Sequence, residues 1–393
     1  MNRLRILFFV LMLSGIARAE LPDGLYADFD TSMGSFTCRL DYAEAPLTCA
    51  NFVGLAEGSQ AWINPTSGAV RNDPFYTDLI FHRVIAGFMI QGGCPLGTGT
   101  SGPGYTFPDE FVPSSVHYAA AGTLVMANSG PDSNGSQFFV TVVPYPTLDP
   151  SAYMVFGEVV DGMGVVTNIE SVAVTNERPL VDVVINQVQI LRIGTEAEAF
   201  DGTAQPLPEV SPLSLVITHT LSGLQVVAGL TNQCMISVYG STNLSDWALG
   251  YKNYWPTGSN DLNLLVSPPR EKEFFRGTRV FYPQAHTNLP ADVEGHTLNV
   301  STTVGDFEFL LLPGGVGNYI YGGNPGTIYH WDWLTTPYYD LYVVTSDVFP
   351  LWFSFSYTSS TNGTCSGHYY NYNLIPPAWV PFAGIFSDTP PTP

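Results

Sequence analysis

Positive charge is what this chain most lacks. Of its 393 residues 12% are charged, 13 Lys and Arg stand against 34 Asp and Glu, and the formal net charge is −21. Nucleic acid is thereby excluded as a partner, because binding it rests on cations that neutralise phosphates. Cysteine is scarce too. Cys38, Cys49, Cys94, Cys234 and Cys365 are odd in number, with no CxxC pair and no zinc-ligand spacing, so a complete internal disulfide framework and a structural zinc site are both excluded. Cys38 on a strand and Cys49 on the following helix are placed so that a local disulfide is conceivable, but buried free thiols are the expectation for most of the five. The seven histidines are scattered; His330 with Asp332 is the one short pairing, and no metal or cofactor is expected. Long apolar runs are missing as well. After Ile6–Leu13 no stretch approaches the 18 uninterrupted apolar residues of a membrane-spanning helix.

Aromatic residues, at 13%, are plentiful, and with so little charge they indicate packed cores rather than disorder. At the start, Arg3 and Arg5 precede the apolar run, and Ala17-Arg18-Ala19 follows it. That pattern is a secretory signal peptide, residues 1–19, cleaved near Ala19, and it predicts a periplasmic or extracellular protein. The length exceeds one typical domain, and the composition changes near residue 194. We read 20–194 as a first domain, the Pro-, Gly- and acid-rich 195–212 as a linker, 213–285 as a small β-sandwich, 286–388 as an aromatic-rich β domain and 389–393 as a tail.

Two segments carry chemistry. Residues 81–93, Phe-His-Arg-Val-Ile-Ala-Gly-Phe-Met-Ile-Gln-Gly-Gly, set one permanent cation, Arg83, among apolar and amide side chains. This suits rotation of an X–Pro amide, which needs no nucleophile, metal or proton shuttle, only loss of the C–N double-bond character behind a barrier of about 18–20 kcal/mol. A guanidinium can donate to the proline nitrogen as it turns pyramidal, and an apolar slot for the ring strengthens that donor by excluding water. Taken alone, Arg83 is more simply a surface ion pair and Phe88 and Met89 ordinary core. The second segment changes that reading. Residues 125–142, Val-Met-Ala-Asn-Ser-Gly-Pro-Asp-Ser-Asn-Gly-Ser-Gln-Phe-Phe-Val-Thr-Val, are a strand, a turn region and another strand.

Together the two segments resemble the cyclophilin family of peptidyl-prolyl cis-trans isomerases, as a bacterial secreted member with extra C-terminal β-domains. The resemblance runs from Leu25 to Ile193 and includes Gly97-Thr-Gly99, Gly102-Pro-Gly104, Phe107 to Phe111 and Val155-Phe-Gly-Glu158. It implies a mainly β fold, a closed eight-stranded barrel capped by two helices. It also implies Arg83 as the catalytic arginine and Gln91 as the glutamine supporting it. Phe88, Met89, Phe139 and Leu148 match the proline pocket, Ala127 and Asn128 the edge along which substrate backbone lies, and Gln137 a polar lining residue; His82 is structural. There are two departures. Thr147 stands where many eukaryotic members have Trp, and Tyr153 falls where a histidine is expected at the pocket rim, which predicts weak cyclosporin inhibition.

Within the first domain, Phe36, Cys38 and Leu40 alternate as a strand; Pro46 opens a helix that Gly58 ends; Asp161 is the expected cap of a second helix. The long loop Gly58–Asp78 is expected to shape the outer edge of the groove. After the linker, six short β-rich runs between 213 and 280 have sandwich spacing, and Ser241–Trp247 with Glu273–Arg276 resembles sandwich appendages of secreted bacterial proteins. The last region, with Trp331, Trp333 and the alternating Leu351–Tyr357, reads first as a second sandwich core and otherwise as a stacking platform for sugars. Two functions follow: an isomerase acting on proline-containing polypeptides during the folding of exported proteins, or a non-catalytic proline-peptide or glycan-binding adhesive protein whose tail meets a cell-surface ligand. The presence of Arg83, Phe88, Gln91 and Phe139 together favours the first.

Overall fold

The computed structural model describes residues 21–110, 120–130, 132–144 and 153–220. Beyond these it describes the strands, and some turns between them, as far as residue 389; from residue 284 onward it describes the strands and their pairing. The leader assigned to residues 1–19 lies outside the described residues.

The first domain is one curled antiparallel sheet. Its strands are β1 (Gly24–Thr31), β2 (Gly34–Leu40), β3 (Leu79–Ile80), β4 (Arg83–Ile85), β5 (Met89–Gly92), β6 (Thr123–Met126), β7 (Phe138–Thr141), β8 (Val155–Asp161) and β9 (Val184–Ile193). They are ordered β3-β9-β1-β2-β8-β6-β7-β5-β4. The two edge strands are consecutive in sequence, with only Phe81 and His82 between them. There the curl is completed by single bonds, Phe81 N–H to Val183 O at 3.0 Å and Val84 N–H to Glu177 O at 2.6 Å. The expected eight-stranded closed barrel is thus a nine-stranded curl whose seam has no ladder between β3 and β4.

Alternation along the strands fills the interior. Leu25, Ala27 and Phe29 on β1 and Phe36, Cys38 and Leu40 on β2 are all at most 2% exposed, and the rings of Phe29 and Phe36 stack 4.6 Å apart. Cys38 and Cys49 remain free thiols, as does Cys94. Helix α1 (Pro46–Glu57) starts at the expected proline and ends at Gly58. Its first backbone amides, orphans of the helix geometry, are taken by a carboxylate from a distant loop: Leu47 and Thr48 N–H donate to Glu110 at 2.9 and 2.8 Å. Helix α2 (Met163–Glu170) sends Val166 and Ile169 into the same core. Asp161 is not its cap. Asp161 is the last residue of β8, and Gly162, at φ 78°, makes the turn and stands at the N-cap.

The segment 195–212 packs on the barrel. Ala197 and Leu207 belong to the barrel core, and Phe200 meets Tyr42 with ring centroids 5.3 Å apart. Next come two facing sheets. One pairs Glu209–Leu213, Phe274–Phe281, Cys234–Ser241 and Ala248–Trp255; the other pairs Val216–Thr220, Gly223–Gly229 and Asp261–Val266. Ala228 from the second packs with Cys234, Ile236 and Val238 from the first, which makes a sandwich. Its two singled-out segments meet, with the Arg276 guanidinium 4.2 Å over the Trp247 ring.

From Thr297 to Thr389, eight strands each pair with the next, and Thr297–Thr302 pairs with Ala378–Thr389 to close a barrel. A second sandwich was the expectation here. Both architectures show the same alternation of period two, and what separates them is the pairing of first strand with last.

Candidate functional site

The same alternation that fills the barrel also builds a second, outward face. Val84, Ile90, Leu124, Met126, Phe138, Val140 and Phe156 point into the main core, whereas their sequence neighbours Met89, Val125, Phe139 and Val155 form a separate cluster outside it, with Ile85 packed against it. Phe88, Ala127 and Tyr153 pack against that cluster. Phe139 sits between two rings, 6.1 Å from Phe88 and 5.9 Å, edge to face, from Tyr153. Phe139 is 5% exposed and Met89 1%. The result is a shallow apolar floor on the outside of the sheet.

Arg83 stands beside this floor. On the β4–β5 hairpin it pairs directly with Gln91, and Gln91 in turn pairs with Phe139 on β7. Arg83 Nη1 donates to Gln91 Oε1 at 3.4 Å, Gln91 Nε2 donates to Gln137 Oε1 at 3.0 Å, and Gln137 Nε2 donates to the carbonyls of Gly99 and Ser101, both at 2.9 Å. The relay has one direction only. A guanidinium can only donate and a carbonyl can only accept, so both amides between them are held in a single orientation. Gly93 permits the close packing of this corner, because a Cβ there would lie 2.3 Å from Ser136 O and φ is 82°.

The motif reading missed a further partner. Glu177 Oε2 accepts from Arg83 Nε at 2.6 Å. The carboxylate comes from a small hairpin, Val174–Thr175 with Arg178–Pro179, whose turn residues Asn176 and Glu177 have φ of 50° and 65°. Both values are left-handed, the geometry of a tight two-residue hairpin turn. The hairpin is anchored by the same residue, since Glu177 O accepts the Val84 N–H. The Arg83 side chain is still 43% exposed, so it remains accessible from solvent. The Asn-Glu pair between two extended runs was the only sequence signal for this turn, and nothing in it named Arg83 as the partner.

His82 is buried and sits beneath the 94–101 loop, its Nε2 3.3 Å from where a Cβ at Gly99 would be. Burial, helped by the cations of Arg178 and Arg83, brings its pKa down to about 4, so near neutrality the ring is uncharged. In that loop, burial pushes the Cys94 thiol up, but hydrogen bonds from Ser101 and from backbone N–H groups outweigh it and bring the thiol down to about 7.

Of the residues singled out from sequence, Arg83, Phe88, Met89, Gln91, Ala127, Asn128, Gln137, Phe139 and Tyr153 therefore come together on one face. Leu148, like Thr147, lies outside the described residues. The long 58–78 loop goes elsewhere. Its hairpin, Trp62–Ile63 with Val70–Arg71, faces the sandwich, where Ile63 packs with Val280 and Tyr282. An apolar floor, a half-exposed guanidinium held on two sides and a fixed amide relay offer a ring-sized seat beside a strong hydrogen-bond donor. Among the described residues of this face there is no nucleophile–base pair.

The family model for cyclophilin type peptidyl-prolyl cis-trans isomerases matches residues 26–190. Peptidyl-prolyl cis-trans isomerase B of Streptomyces anulatus is 45% identical over 175 residues, which are 43% of this chain and 98% of that protein. Peptidyl-prolyl cis-trans isomerase A of Mycobacterium tuberculosis is 45% identical over 167 residues, 42% of this chain and 91% of that protein. Among solved structures, a cyclophilin type peptidyl-prolyl cis-trans isomerase of Cryptosporidium parvum matches with 31% identity and a TM-score of 0.37, covering 43% of this chain and 98% of its own.

Proposed function

The chain belongs to the cyclophilin family of peptidyl-prolyl cis-trans isomerases, and on that premise we propose that it isomerises X–Pro bonds of exported polypeptides, with Arg83 as the group that stabilises the twisted amide. The observation that carries this reading is the constraint on Arg83. Glu177 holds Nε and Gln91 holds Nη1, so the planar fork is oriented before substrate arrives, and its remaining N–H donors serve the substrate.

The steps follow from the arrangement. The proline ring rests on Met89, Phe139 and Phe88, which removes water from one side of the amide. Substrate backbone runs beside Ala127 and Asn128. As the C–N bond twists, the nitrogen lone pair leaves conjugation and becomes an acceptor, and Arg83 donates to it. That hydrogen bond is stronger in the twisted state than in either planar one, so it lowers the barrier rather than merely tightening binding. No proton is transferred. His82, uncharged near neutrality, supports the loop under Gln137 and takes no part as acid or base.

Export is proposed on the charged, apolar and small-residue pattern of positions 3–19. Slow X–Pro steps, tens to hundreds of seconds when uncatalysed, are the substrate problem such an enzyme meets outside the cytoplasm. A protease-coupled proline-peptide assay on the full chain tests the reading. Wild type is expected to accelerate exchange, and Arg83→Ala is expected to lose about two to three orders of magnitude in kcat with KM changed less. Equal turnover by the two proteins would refute it.

A further inference from the structure

One flank of the groove hangs on two carboxylates that lie outside the proline seat. The turn that follows Ala127 and Asn128 closes on itself, with Ser129 N–H donating to Ser133 Oγ at 2.9 Å. A reciprocal pair then ties it to the segment 107–110. Asp109 N–H donates to Asp132 Oδ1 at 2.6 Å, and Asp132 N–H donates to Asp109 Oδ2 at 3.1 Å. Beside them Phe107 N–H donates to Asn134 O at 2.9 Å. We propose that Asp109 and Asp132 are positioning residues for the Asn128 edge of the groove, holding it while the pair carries one proton and loosening it when both carboxylates are ionised. Peptide affinity then falls as the medium turns alkaline. This rests on the isomerase reading above and extends it to the control of substrate binding.

The route from the pair to the groove is short. Asn134, fully buried, donates from Nδ2 to Asp109 Oδ1 at 2.6 Å and to Phe107 O at 3.4 Å, and its Oδ1 accepts from Asn128 Nδ2 at 3.5 Å. The acceptors on one side fix which way the Asn134 amide points, so its oxygen is the atom presented to Asn128. The arrangement mirrors the opposite flank, where Gln91 and Gln137 link Arg83 to two carbonyls. Asp132 itself stands at φ 50°, a left-handed conformation that Asp and Asn adopt more readily than other side chains.

Two acids that exchange backbone bonds keep their carboxyl groups close, and like charges at such a site resist ionising together. Burial first, and then the charge of Asp132, push the Asp109 carboxyl up to about 7, against the bonds from Asp132 N–H and Asn134 that pull it down. Glu110, the adjoining acid, turns instead to helix α1, where the Leu47 and Thr48 amides and the Thr48 hydroxyl hold it. Because about 7 lies above the ordinary carboxylate value of 3.8, the closed contact binds a proton that the opened chain does not. The contact is therefore strongest below about 4 and weakens as pH rises through about 7. Two other groups bear on the same profile: His82 titrates near 4, and Cys94, in the loop under Gln137, near 7.

The test assays the full chain from about pH 6 to pH 9 with a proline peptide free of titratable side chains, and follows amide hydrogen exchange at Ser129 and Asp132, expressed as protection factors. Wild-type KM is expected to rise about threefold across that range with kcat changed by less than about twofold, and the protection factors to fall in parallel. Asp132→Asn keeps an acceptor for the Asp109 N–H and suits the left-handed turn but removes one charge, so KM is expected to stay at its low, acidic value throughout. Asp109→Ala removes the tie itself, and KM is expected to stay at the high, alkaline value. A pair that served only structure would raise KM alike in both variants. That result, a wild type whose KM and protection do not change with pH, or an inflection that survives in both variants and vanishes in Cys94→Ser would overturn the proposal. Absence of turnover in wild type would refute the isomerase reading, while the exchange measurement would still decide whether the tie opens with pH.

Discussion

Phe138 and Phe139 are neighbours on one strand with opposite duties. Phe138 faces inward, fully buried, with its ring 5.4 Å from Phe29, 5.9 Å from Phe52 and 5.8 Å from Tyr76. Phe139 faces outward between Phe88 and Tyr153. The inner face of these strands is an aromatic core continuous with both helices, and the outer face is a small cluster beside a guanidinium. A single strand therefore contributes to the barrel core through one face and to the outer cluster, where the proposed substrate contact lies, through the other, and the pleat keeps the two apart.

Substitutions that separate the faces put this contrast at risk. The largest effect is expected in catalysis at Arg83, as stated above. For stability, Phe138→Ala should cost about 3–5 kcal/mol in chemical denaturation, through lost burial and a residual cavity. Phe139→Ala should lower kcat/KM by roughly tenfold or more while costing clearly less stability; equal destabilisation by the two would erase the distinction between the faces. On acidification, His82 gives a signed expectation. Its folded pKa, about 4, lies below the ordinary imidazole value of 6.5, so the unfolded chain binds a proton that the native chain does not between those values. Its contribution is present above pH 6.5 and is lost progressively as pH falls toward 4, on the order of 2 kcal/mol, and His82→Phe should flatten that part of the pH–stability curve. Smaller again, Glu177→Gln should change stability by less than about 1 kcal/mol, because both partners are half exposed, yet raise KM or lower kcat several-fold by loosening Arg83. Unchanged kinetics would show that Gln91 alone orients it.

What could be read from sequence followed the distance over which each signal acts. Arg83, Phe88, Met89 and Gln91 lie within nine residues of one another, and the alternation of the strand pair predicts which of their side chains share a face. Gln137 and Phe139 came from a second local motif, and the resemblance supplied the link between the two. Glu177 reaches Arg83 across 94 residues, and no local pattern encodes a partner at that separation. Met235 and Tyr282 meet the barrel only because the following sandwich packs against Ile63 and Tyr105, a contact between residues far apart in sequence. The closing of the last eight strands into a barrel was hidden for a related reason, since alternation records which way a side chain points and not which strand lies beside it. Asp161 shows the opposite error, in which a good capping residue was outweighed by a glycine one position later that could make the turn.

The most direct test of the central claim is to measure turnover and thermal unfolding on the same sample of Arg83→Lys. Lysine keeps the positive charge but loses the planar fork that Glu177 and Gln91 hold from two sides. The account predicts a fall in kcat of at least about tenfold with the melting temperature unchanged within roughly 2 °C. Wild-type kcat in Arg83→Lys would contradict it, because a charge near the proline seat would then suffice without an oriented donor.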